Sequence, residues 1–62
     1  MQNHVKIFRV MAGLNQAVLA EKLNVSRQTI VNIERNKHEP SIGLCLRMAQ
    51  VLDCSINDLF SL

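Results

Sequence analysis

The sequence predicts an all-α fold: a compact bundle of five short helices, read as one domain over residues 1–62. Three observations carry that prediction. Apolar residues recur at helical rather than alternating spacing along nearly the whole chain. Residues that suit helix N-termini precede each apolar set, at Asn3, Asn15, Ser26, Ser41 and Ser55. With two glycines and one proline, few positions break regular structure, and no strand pattern, repeat, linker or low-complexity segment is visible.

The first helix is expected over 4–12, capped by Asn3 and stopped by Gly13, which reaches a left-handed conformation without a Cβ clash. Val5, Phe8 and Ala12 are its core side. The second helix is expected over 16–23 behind Asn15, with Ala17 or Val18, then Leu19, Ala20 and Leu23 buried and the small Ala20 allowing a close crossing. Asn24 ends it, since Asn tolerates the left-handed region. Val25 plugs the turn and Ser26 caps a third helix over 27–35, whose Ile30 and Ile33 face inward. Ser41 caps a fourth over 42–52, with Ile42, Cys45, Leu46, Ala49 and Leu52 as its core stripe. Ser55 caps a fifth over 56–62, and Asp58 at its third position approximates a capping box.

A 62-residue chain buries about 60% of the surface its unfolded form exposes, so modest stability is expected. A composition of 48% apolar and 19% charged residues argues against disorder. The net charge is +2, unevenly placed: residues 1–40 carry six basic against three acidic residues, and 41–62 one against two. The basic half suits a polyanionic partner. Two phenylalanines, with no Tyr or Trp, weigh against base stacking on single strands. Cys45 and Cys54 lack zinc-site spacing, and His4 and His38 offer no regular ligand spacing; the thiols read as small, reduced apolar residues. No cofactor, metal, small-molecule ligand or membrane partner is expected, and without a signal peptide or membrane-length apolar run the expected compartment is the cytoplasm. No paired carboxylates, nucleophile with a base or phosphate loop suggests an enzyme.

The two helices over 16–23 and 27–35 are joined by the tight turn Asn24-Val25-Ser26. The second would show an outward edge of Arg27, Gln28, Val31, Asn32 and Arg35. Gln28, Val31, Asn32 and Arg35 follow i, i+3, i+4, i+7 and share one face. Arg, Gln and Asn are the side chains able to make two parallel hydrogen bonds to one base edge in a DNA major groove. Taken alone, such a face is often only a solvated helix surface.

The run Gly13-Leu14-Asn15-Gln16 with Leu19-Ala20, followed by Val25-Ser26-Arg27-Gln28-Thr29-Ile30, resembles the phage-repressor and Cro-type helix-turn-helix proteins, the XRE family. Glu34-Arg35-Asn36-Lys37, Pro40-Ser41 and Ser55-Ile56-Asn57-Asp58-Leu59-Phe60 extend the likeness over nearly the whole chain. The resemblance implies a lambda-repressor-like five-helix fold whose third helix enters the major groove of double-stranded DNA. It assigns base reading to Arg27, Gln28 and Asn32, with Thr29 near them. It assigns DNA-backbone contact to Gln16, Ser26, Asn36 and Lys37, and an internal ion pair to Arg9 and Glu34. Arg35 is added to the backbone set for its charge, while Lys22 reads as plain surface. Asn24 stands where the family often has Gly. Ile7, Val10, Met11 and Val18 stand where the family usually has charge, leaving apolar surface open to a protein partner or to dimerisation.

A second apolar line, Leu44, Met48 and Val51, suggests a homodimer interface completed by Phe60 and Leu62. The resulting expectation is a transcriptional regulator, a repressor acting as a homodimer on a near-palindromic operator. The alternative is an antitoxin-like or adaptor module that uses the same fold for protein contacts.

Overall fold

The computed structural model describes residues 2–61. Five helices run in order: α1 (Val5–Met11), α2 (Gln16–Leu23), α3 (Arg27–Glu34), α4 (Ile42–Val51) and α5 (Ile56–Leu59). Side-chain oxygens of Asn15, Ser26, Ser41 and Ser55 accept from the backbone three residues on, so α2 to α5 begin at the expected caps. At Ser55 the capping box is complete, because the Asp58 carboxylate accepts the Ser55 backbone N–H at 3.0 Å. α1 starts one residue later than expected. His4 occupies its cap position, yet Asn3 still does the capping: its Oδ1 accepts the Val5 backbone N–H at 2.9 Å.

Four helices end in the same way. Gly13, Asn24, Asn36 and Asp53 have φ of 76°, 57°, 59° and 53°. Each left-handed residue donates its N–H three positions back, and the next residue donates five back. In the first case Gly13 reaches the Val10 carbonyl and Leu14 the Arg9 carbonyl; Val25 to Ala20, Lys37 to Asn32 and Cys54 to Ala49 repeat the second bond. These bonds satisfy carbonyls that a helix end otherwise leaves free.

Two features differ from the sequence expectation. α5 is a single turn, not a helix to residue 62. Phe60 turns extended (φ −134°, ψ 135°), and Phe60–Ser61 forms a strand, β2, antiparallel to β1 (Gln2–Asn3). Pairing ties the two ends of the described chain together while the Phe60 ring enters the core. Two-residue strands have no period to detect.

The second difference is the rotation of α4. The core comprises Val5, Leu19, Ala20, Leu23, Ile30, Ile33, Leu44, Met48, Ala49, Leu52, Leu59 and Phe60. Leu44 and Met48, expected on a dimer surface, are buried within the single chain, as is Phe60; Val51 is half-buried against the core. Leu44, Met48 and Phe60 are therefore not free to hold a second copy, Val51 stays partly exposed, and Leu62 lies outside the described residues. Conversely Ile42 and Leu46, expected inside, are 78% and 50% exposed. Ala12 is also exposed, and Arg9 takes the buried place on α1.

α2 packs closely on α3 and also against α4; α4 supports α5, and α1 lies beside α3. α3 is thereby held along one side and left open along the other.

Candidate nucleic-acid interface

Ile30 and Ile33 are fully buried and anchor α3, fixing which residues face out. Arg27, Gln28 and Arg35 are exposed, while Val31 and Asn32 are half-buried. Gln28 and Asn32 stand one turn apart, and the Gln28 Nε2 donates to Asn32 Oδ1 at 3.0 Å. The two amides therefore present themselves as a pair. Thr29 is half-buried and turned to the cap: its N–H donates to Ser26 Oγ at 3.1 Å, and the two hydroxyls lie 2.8 Å apart.

Behind this face lies a buried ion pair. Arg9 Nε donates to Glu34 Oε2 at 2.7 Å, with 9% and 4% of the two side chains exposed. Arg9 also donates through Nη2 to Glu34 Oε1 at 3.3 Å and through Nη1 to the Leu14 carbonyl at 2.8 Å. One guanidinium thus joins α1, the α1–α2 turn and the end of α3. Asn3 adds a second tie, since its amide nitrogen donates to the Ile33 carbonyl.

Gln16 is not a free surface amide. Its Nε2 donates to Glu34 Oε1 at 3.1 Å and its Oε1 accepts from Arg27 Nη2 at 3.1 Å. A continuous path runs from the buried pair through Gln16 to the exposed Arg27. The Gln16 side chain is thus engaged within the protein, while its position in the first turn of α2 leaves a backbone N–H without a helical partner. Ser26, Asn36 and Lys37 are all exposed, at the start of α3 and just beyond its end.

Lys6 is a residue that sequence reasoning did not assign. It lies on α1 and lines a cleft with Gln16, Arg27, Val31 and Arg35. The signal was present in its unpaired charge, but its proximity to α3 depends on how α1 packs. The cysteines stand apart from this face. Burial pushes both thiols above their usual pKa, and at Cys54 the nearby Asp58 and Asp53 charges add to the rise. Raised pKa values keep them protonated and poor as nucleophiles or ligands.

A helix-turn-helix family model matches residues 5–59. The chain belongs to the helix-turn-helix family. It is accordingly a DNA-binding transcription regulator of the XRE type. An uncharacterized HTH-type transcriptional regulator of Methanocaldococcus jannaschii is 43% identical over 60 residues, spanning 97% of this chain and 91% of that protein. Among solved structures, the restriction-modification controller protein C.AhdI of Aeromonas hydrophila superposes with a TM-score of 0.82 at 28% identity, covering 90% of this chain and 85% of that one. A chain of the SinR–SinI protein complex gives 0.83 at 34% identity, covering 92% and 56%. This helix-turn-helix regulator therefore shares both sequence and backbone with such proteins over almost its full described length.

Proposed function

We propose that this regulator is a cytoplasmic, sequence-specific repressor that binds a near-palindromic operator as a homodimer, with α3 in the major groove. The observation that carries the reading is the outward set Arg27, Gln28 and Asn32 on a helix anchored by Ile30 and Ile33 and braced by Arg9–Glu34. Bidentate geometry favours guanine for Arg27 and adenine for the two amides. Ser26, Arg35, Asn36 and Lys37 supply phosphate contacts, which set affinity and register but not sequence. Gln16 contributes through the N-terminus of α2 and by steadying Arg27.

Selection of bound duplexes from a random pool tests this reading. An enriched motif with twofold symmetry is expected; recovery of no motif would count against it.

A second reading rests on the apolar face of α1. Ile7, Val10 and Met11 are 57%, 59% and 74% exposed, and Val18 on α2 is 36% exposed. This surface suits an adaptor that holds a protein partner. Tight operator binding by the purified chain alone would show that such a partner is not needed for the DNA function.

A further inference from the structure

The cleft of about 440 Å³ between α1 and α3 shares Arg27 and Gln28 with the base-reading face but extends beyond it to Lys6 on α1. One wall is Arg27, Gln28 and Val31 of α3 with Arg35 just past its end; the other holds Lys6 and Gln16. Gln28 belongs both to this wall and to the pair with Asn32. The cleft thus flanks the reading edge.

Its charge is positive in spite of Glu34. That carboxylate is 4% exposed and already receives Arg9 at both oxygens and Gln16 at one. Arg27 spends one N–H on Gln16 and keeps the rest of its donors. Among the described residues neither Lys6 nor Arg35 has a salt-bridge partner. Three cations therefore border a polar channel whose one acid is neutralised from behind.

We infer that this cleft holds a phosphodiester of the DNA backbone and that Lys6 is a backbone contact of the regulator, joining Arg35 there, with Arg27 at the cleft's edge kept for base reading. The inference rests on the proposed docking of α3 in the major groove, where a strand's phosphates pass along the side of the helix. Lys6 contributes charge without reading sequence.

The test is the salt dependence of duplex binding by the full chain and by Lys6→Gln, Lys6→Arg and Lys22→Gln. The probe is the most enriched duplex of the selection or, where nothing is enriched, the random pool itself. Lys6→Gln removes one phosphate contact from each subunit, two per homodimer, and so flattens the slope of log K against log[salt] by about 1.8; its deficit shrinks about 12-fold between about 50 and 200 mM salt. Lys6→Arg should restore the parent slope, Lys22→Gln should retain it, and circular dichroism should show all three folded alike. A parent-like slope for Lys6→Gln overturns the inference, as does equal flattening by Lys22→Gln. With a clear motif from the selection, either result removes Lys6 alone and leaves the operator reading intact. Absence of any salt-dependent duplex binding by the parent removes both.

Discussion

Arg9 makes three hydrogen bonds to two elements while almost fully withdrawn from water. Truncating it strands the Glu34 carboxylate in the interior, which costs about 3–5 kcal/mol for a buried pair. A domain of this size has little stability beyond that. Arg9→Ala is therefore expected to be largely unfolded at room temperature by circular dichroism, and to lose DNA binding without having touched DNA. Arg9→Met combined with Glu34→Met removes both charges and should recover most of the fold. An Arg9→Ala variant that melts like the parent would remove the brace from the account. The residue types of this pair were visible in the sequence, but their contact spans 25 positions. Only the family resemblance joined them. The engagement of Gln16 between Glu34 and Arg27 was not legible at all, because an amide at a helix start has no sequence cue for its partner.

The elements themselves were largely legible because their ends are written in local chemistry. The Asn15, Ser26, Ser41 and Ser55 caps each act within three residues, and Asn24 stops α2 by its own tolerance of the left-handed region. Asn24→Ala should cost about 1–2 kcal/mol, the penalty of a Cβ in that region without the local bonding of Asn. Asn24→Gly should not destabilise. Urea unfolding of the two variants makes the comparison; equal loss in both would mean that Asn24 acts through its side chain and not its backbone. The rotation of α4 was illegible for a different reason. Between Ile42 and Leu52 only Arg47 and Gln50 are long and polar, so apolar residues surround most of the helix and two stripes compete. The packing against α2 and α5 chooses Leu44 and Met48, a tertiary outcome that spacing alone does not decide. The last turn of α5 was lost similarly, to strand pairing with residues at the other end of the chain.

At the scale of the whole molecule, the proposed homodimer has to bring two copies onto one DNA face. Successive major grooves on that face lie about 34 Å apart. The molecule measures 26 × 22 × 19 Å, so two touching copies reach that spacing only with each α3 turned away from their contact. α1 lies beside α3, whereas α4 packs on α2 and α5. The exposed Ile42 and Leu46, adjacent on α4 at i, i+4, and the Ile7, Val10, Met11 face of α1 are then the two candidate contacts for a second copy. With the α4 contact, Leu46→Glu is expected to shift sedimentation to the monomer and weaken operator binding, while Val10→Glu leaves the assembly unchanged. The reverse pattern would move the dimer contact to α1.

All of this depends on α3 reading bases, and selection from random DNA with the parent and Gln28→Ala in parallel tests that most directly. The parent should recover two inverted half-sites with centres about one helical turn apart. Gln28→Ala should lose about 1–3 kcal/mol of discrimination at one or two positions per half-site and keep the rest. An unchanged motif for Gln28→Ala would contradict the assigned reading face, and the absence of any motif for the parent would contradict the function.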